Sequence, residues 1–336
     1  MIIQSKYEHI KDAKHAVMHP VYKEKYACSK ISGILDYDFT GQIDKDLGKV
    51  TKIHTLGKLD YQYIYFVGLG YKDEATPHSL KEAFAAALKE IKEDHLVIDL
   101  KRALTDTLTF DVIAESFTAS ALLALYDYKK VGHDSSTTFE LLAKEDVKAA
   151  IEKGNIMANA INRARTLANT PSNLLTPLDL EQEALKLFEK ENVEMTFLDN
   201  AKLQEMKAGG ILGVNKGSAL EARLIVLKYN GNGDEDYTAL IGKGVTFDTG
   251  GYSLKPGASM VNMKTDMHGA ASVLAAFEVI VKKKMKANVY CIIPTTENMI
   301  SGDAYKVDDV LTMLNGKTVE ITNTDAEGRL ILADAL

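Results

Sequence analysis

Leu240-Ile241-Gly242-Lys243-Gly244-Val245-Thr246-Phe247-Asp248-Thr249-Gly250-Gly251 is a run of apolar and β-branched residues that closes on an acidic side chain and a glycine pair. It reads as a buried strand leading into a tight turn. In α/β proteins such turns hold functional side chains, because strand ends are rigid and the loops beyond them surround a crevice. Two further acidic segments share this character: Lys264-Thr265-Asp266, a few residues beyond Lys255-Pro256, and Asn323-Thr324-Asp325-Ala326-Glu327-Gly328-Arg329-Leu330.

Outward from this stretch the pattern alternates. Strands are predicted at 223–229, 237–241 and 287–293, with helices near 180–192 and at 268–283. Upstream, the aromatic run 61–67 reads as a strand ending at Gly68-Leu69-Gly70. Ser79 with Glu82 reads as a capping box before an Ala-rich helix to about residue 93, and 96–100 as the next strand. A helix is predicted over 110–128, where Phe110, Ile113, Ala114, Phe117, Ala121, Ala124 and Leu125 share a face. Composition turns to Gly, His, Asp, Ser and Thr over 129–138, which marks a loop, and a charged helix follows over 144–169. The expected fold class is α/β: an N-terminal mixed α/β domain (1–143), a connecting helix (144–170), and an α/β domain with a central mixed sheet flanked by helices (171–336).

Composition narrows the function classes. A chain of 336 residues, 46% apolar and 26% charged, is long enough for two cores. A net charge of -7 argues against an electrostatic grip on nucleic acid. Cys28 and Cys291 form no CxxC pair, so neither a disulfide framework nor a thiolate zinc site is indicated. Residues 1–15 lack the apolar core of a secretory signal, and no window is apolar enough to span a bilayer, so the expectation is a cytoplasmic protein without membrane contact. Seven of the eight histidines lie between His9 and His133 and no HExxH occurs, which sets aside a histidine-based zinc site. His268, two residues after Asp266, reads as either a helix start or a neighbour of the site. Gly68-Leu69-Gly70 lacks the third glycine of a dinucleotide fingerprint.

The acidic turns carry the chemistry. Asp325, Glu327 and Arg329 are spaced by two and share one face if the backbone is extended. Such a triplet alone is most often a surface ion-pair cluster. Combined with Asp248 and Asp266 it supplies four carboxylates, and four converging carboxylates repel unless cations fill the space between them. Two divalent ions restore neutrality, and oxygen-rich ligation suits Zn or Mn, with Mg or Co as alternatives. Lys243 can join such a site only as a neutral amine.

These residues resemble a known family. NTDAEGRL (323–330), GKGVTFDTGG (242–251), SLKPG (253–257) and KTDMHGAA (264–271) are similar, in order, to the site segments of the leucyl aminopeptidases, also called cytosol aminopeptidases. The likeness is strong from about residue 163 to 336; before that only the general α/β organisation agrees. It implies a two-metal aminopeptidase acting on peptides with a free N-terminus, with leucine-type preference, through a metal-bridging water. Residue by residue, it implies that Lys243, Asp248, Asp266 and Glu327 ligate one metal and Asp248, Asp325 and Glu327 the other. Lys255 then stabilises the oxyanion, Arg329 holds a bicarbonate acting as general base, and Met263 lines the pocket for the first side chain. Family members continue beyond Leu336 and form homo-hexamers, so the resemblance implies a catalytic domain that extends further. A non-catalytic oligomeric scaffold, a DNA-binding regulator on the same fold, and an inactive fragment are the alternative readings.

Overall fold

The computed structural model describes residues 1–6, 16–24, 29–130 and 137–336. Cys28, residues 7–15 and part of the loop expected over 129–138 lie outside them. Two units emerge, residues 1–162 and 163–336.

The first unit runs β1 (Ile2–Lys6), β2 (Ala16–Val21), α1 (Ser29–Leu35), β3 (Val50–His54), β4 (Tyr63–Gly68), α2 (Pro77–Glu90), β5 (His95–Asp99), α3 (Phe110–Ala124) and β6 (Thr138–Leu142), and enters α4 (Lys148–Asn169). Its six strands pair in the order β1-β6-β5-β2-β4-β3, all parallel except β3. Every residue of β2 is buried, as expected of a strand covered on both faces. Ala16 and Met18 pack with Phe84 and Phe117 of α2 and α3. Val17 and Val21 face the opposite way, with Phe39 and Phe66.

Two local expectations shift. The capping box of α2 pairs Thr76 with Ser79, not Ser79 with Glu82: Ser79 N donates to Thr76 Oγ1 (3.1 Å) and Thr76 N to Ser79 Oγ (2.9 Å). Pro77 occupies the first helical position, where its missing N–H costs nothing, and this moves the helix start upstream. The next helix stops at Ala124 rather than 128, and Asp127 then forms a turn by accepting from Lys129 N.

α4 continues into the second unit, which holds α5 (Pro177–Phe188), β7 (Glu194–Leu198), α6 (Asn200–Met206), α7 (Gly209–Asn215), β8 (Arg223–Asn230), β9 (Tyr237–Ile241), β10 (Gly244–Asp248), α8 (Gly257–Met260), α9 (His268–Lys282), β11 (Asn288–Asn298), β12 (Val310–Thr312), β13 (Thr318–Glu320) and α10 (Glu327–Ala335). As the proline rule predicts, α4 ends two residues before Pro171.

β11 organises this unit. Antiparallel β8 lies along one edge of it, while parallel β9 and then β10 share the other. One core packs Phe188 of α5 and Phe277 of α9 against the sheet, and a second packs Ile211 of α7 and Ile331 of α10 on the other side. The sequence places the end of β11 at Ile293, before Pro294; the strand instead runs five residues further. Ile292 accepts from Gly242 N (3.0 Å), so by the period of two Pro294 also faces the β9–β10 edge. It meets that edge between Ile241 and Gly244, where the neighbouring strand is broken and no donor is needed.

Candidate functional site

The break that accommodates Pro294 also presents Lys243. Gly242 and Lys243 leave the ladder between β9 and β10, and Lys243 extends toward two carboxylates. Its Nζ lies 2.8 Å from Asp266 Oδ2 and 2.5 Å from Glu327 Oε1. Gly328 makes this reach possible: a Cβ there would sit 2.8 Å from Lys243 Cδ and 3.0 Å from its Nζ.

Asp248 ends β10 and is buried. Its Oδ2 is 3.1 Å from Lys255 Nζ, which also pairs with Asp325 Oδ1. The loop between Asp248 and Lys255 turns back through Gly250 (φ 88°) and Gly251 (φ 63°), a left-handed backbone that glycine adopts without strain. Oxygens of Asp248, Asp325 and Glu327 lie within 4.8 Å of one another. Six of the residues singled out by the acidic turns therefore meet in one cluster: Lys243, Lys255, Asp248, Asp266, Asp325 and Glu327.

The backbone that delivers Asp325 and Glu327 is not extended. Residues Thr324–Ala326 form a 3-10 turn and Glu327 opens α10, so the spacing of two does not put Asp325, Glu327 and Arg329 on one face. Asn323 caps the turn by accepting from Asp325 N (2.8 Å), and that local bond favours a turn over a strand. Arg329 is exposed in the first turn of α10 and, among the described residues, pairs with none of these carboxylates. Met263 starts a 3-10 turn that ends at Thr265 and is half-buried. A crevice of about 370 Å³ opens beside it, lined by Phe247, Met260, Val261 and Lys264 but not by Met263 itself. His268 stands at the start of α9 with Nδ1 2.6 Å from Thr265 O.

The electrostatics are those of a site short of positive charge. Four carboxylates face two ammoniums, a formal excess of two negative charges. Burial, reinforced by Glu327 and Asp248, pushes Asp266 up to about 6 despite the pull of Lys243. Burial alone would lower Lys243, but the bonds to Asp266 and Glu327 outweigh it and hold its pKa above the ordinary value. Lys255 is raised in the same way by Asp325 and Asp248 against its burial. The phenol of Tyr305 is raised by burial and then by Glu327, Asp248 and Asp325. Glu327 Oε2 is buried with no hydrogen-bond partner, an exposed cost in most proteins and an expected one where a ligand completes the shell.

Two residues not singled out by the sequence reading belong to this site. Asn298, fully buried at the end of β11, donates to Asp248 Oδ1 (2.8 Å), and Tyr305 donates to Thr324 O (2.7 Å). The signal for Asn298 lay in the strand pattern, since a β11 extended past Pro294 sets it in register with Asp248.

Fold and cluster together define a two-unit α/β protein with interlocked carboxylates and lysines at the strand ends of its second unit. Residues 162–336 match the profile of the cytosol aminopeptidase family, catalytic domain, and residues 37–134 that of the same family's N-terminal domain. The likeness thus extends into the first unit further than the sequence motifs indicate. The chain is 41% identical over 309 residues to a probable cytosol aminopeptidase of Bacillus licheniformis, covering 88% of this chain and 62% of that protein. Two solved structures are also similar: the bottromycin maturation enzyme BotP in complex with Mn (30% identity, TM-score 0.81, 96% of this chain and 68% of that one) and BotP alone (31%, 0.81, 95% and 67%). The chain belongs to the cytosol aminopeptidase family.

Proposed function

We propose that this chain carries the machinery of a two-metal aminopeptidase that removes single residues, leucine-type by preference, from the N-termini of peptides. The observation that carries the reading is the approach of Asp248, Asp325 and Glu327 oxygens to within 4.8 Å of each other. Family membership supports it, and so does the donor set: the unpartnered Glu327 oxygen and the excess negative charge both call for cations. In this reading Asp248, Asp266 and Glu327, joined by Lys243 as a neutral amine once an ion displaces its proton, would hold one divalent ion, and Asp248, Asp325 and Glu327 would hold the other. Zn and Mn suit these ligands, with Mg or Co as substitutes; Mn is the ion named with the similar BotP.

Bound divalent ions supply Lewis-acid polarisation of a carbonyl and a nucleophile at neutral pH. The chain's own residues do the rest. Lys255 reaches into the cluster with only 14% of its side chain exposed, and its raised pKa keeps it an ammonium. There it donates to the oxygen on which negative charge develops as the peptide carbonyl becomes tetrahedral. Arg329 would seat a bicarbonate, which when bound would supply a general base. Met263 and the adjoining crevice receive the first side chain of the peptide. Assembly as a homo-hexamer in the cytoplasm completes the reading, on the strength of the family resemblance.

Release of p-nitroaniline from leucyl-p-nitroanilide with added Mn or Zn, abolished by EDTA and restored by metal, is the expected result. No turnover with any of the four metals overturns the proposal.

A further inference from the structure

Asn298 is the point where the carboxylate at the end of β10 and the turn that carries Asp325 are tied together. Its Nδ2 donates one proton to Asp248 Oδ1 (2.8 Å) and the other to Thr324 O (3.0 Å), the carbonyl of the peptide bond that leads into Asp325. Rotating the amide by half a turn would set its oxygen against a carboxylate and a carbonyl, so chemistry fixes this orientation. Asn298 Oδ1 is then left buried with no hydrogen-bond partner. A fold that tolerates such an orphan has put the donors ahead of the acceptor.

The consequences reach both acidic segments. Gly250 N donates to the same Asp248 Oδ1 (2.8 Å), so that oxygen is saturated by two neutral donors. Oδ2 alone is left to turn toward Lys255. On the other side, Thr324 is fully buried and held from several directions. Tyr305 Oη donates to its carbonyl (2.7 Å), Thr324 Oγ1 donates to Gly250 O (2.6 Å), and Ser253 N donates to Thr324 Oγ1 (2.7 Å). Among these bonds, only those of Asn298 run from one side chain to both Asp248 and the Asp325 turn.

We infer that Asn298 is a positioning residue: its two amide protons aim Asp248 and set its spacing from Asp325, pre-forming the pair for a divalent cation. This rests on the proposed reading of the cluster as a metal site. Partners that orient metal ligands typically change affinity about 10- to 100-fold when removed.

A second buried asparagine provides the control. Asn288, at the opposite end of β11, donates from Nδ2 to Gly233 O (3.0 Å) and Glu235 O (2.6 Å). Its loss removes the same kind of bonds from the same strand, away from the acidic cluster. The experiment titrates the chain with Mn2+ alone, reading free ion by electron paramagnetic resonance, in wild type, Asn298→Ala and Asn288→Ala, with thermal unfolding recorded for each. The expected result is a 10- to 100-fold weaker Mn2+ affinity in Asn298→Ala, and an unchanged affinity in Asn288→Ala despite a lowered melting temperature. Should Asn298→Ala not fold, Asn298→Ser, which keeps one donor, stands in under the same criterion. A folded Asn298 variant within threefold of wild type, or an Asn288→Ala loss of equal size, overturns the inference. A wild-type chain that binds no Mn2+ instead overturns the metal-site reading, and this inference with it.

Discussion

Lys255 and Gly328 show how single residues set the chemistry of the cluster. Lys255 pairs with Asp248 and Asp325 and is assigned the developing oxyanion, so Lys255→Ala is expected to lower turnover of leucyl-p-nitroanilide about 10²- to 10³-fold. Mn2+ binding should persist, because an ammonium is no ligand; unchanged turnover would remove the role. Gly328 lies against the aliphatic stem of Lys243. In Gly328→Ala the added methyl displaces the ammonium from Glu327 and Asp266, and a loss on the order of 10²-fold in turnover is expected at a melting temperature near wild type. At this scale much was legible in the sequence, because a lysine or carboxylate in a glycine-rich turn after an apolar run has few structural reasons to be there. Asn298 was not legible. A neutral asparagine beside Glu297 has no charge signature, and the proline four residues before it concealed the strand that carries it.

Elements hold these residues in place through bonds that sequence patterns do not advertise. Asp334, buried near the end of α10, accepts from Gly210 N (2.6 Å) and Ile211 N (3.0 Å) at the start of α7 and from Leu314 N (2.9 Å) in the turn after β12. Asp334→Ala leaves three donors without their acceptor, and we expect a loss of about 3 kcal/mol in urea unfolding of the second unit. Asp334→Asn, which keeps the shape and one acceptor, should lose less. A cost under about 0.5 kcal/mol for the alanine variant would show that water replaces the carboxylate. Helices and strands with long apolar periodicity, such as α3 and β8, were legible to within a few residues. The 3-10 turn at Thr324 was not, because alternation in Asp325, Glu327 and Arg329 imitates a strand while Asn323 bonds locally to the backbone. Local capping outweighed periodicity there.

The whole molecule responds to pH through a buried histidine in its first unit. His19, on β2, is 1% exposed, with Nδ1 3.4 Å from Asp99 Oδ2, and Arg102 pairs with the same Asp99. Burial lowers the His19 pKa below 6.5, and the Asp99 carboxylate only partly restores it. The folded chain then holds fewer protons than the unfolded one, so this contribution is present above about pH 6.5 and fades as pH falls toward the lowered value. The slope it adds is at most about 1.4 kcal/mol per pH unit. His19→Gln should flatten the decline in unfolding free energy between pH 6.5 and 5; an equally steep decline would assign the slope to other groups. The α/β class was legible at this scale from alternation alone. The division into units was less so, since it falls between Asn162 and Arg163 inside the continuous helix α4, where composition does not change.

From Asn288 to Ile292, β11 is paired with β8 on one side and β9 on the other. Its amides can exchange with deuterium only when the second unit opens as a whole, and uptake over Val289–Ile292 should be the slowest in that unit. Asp248 and Asn298 are moored to the strand that opens last. The neighbouring stretch presents Leu254 and Val261, both more than half exposed, to solvent.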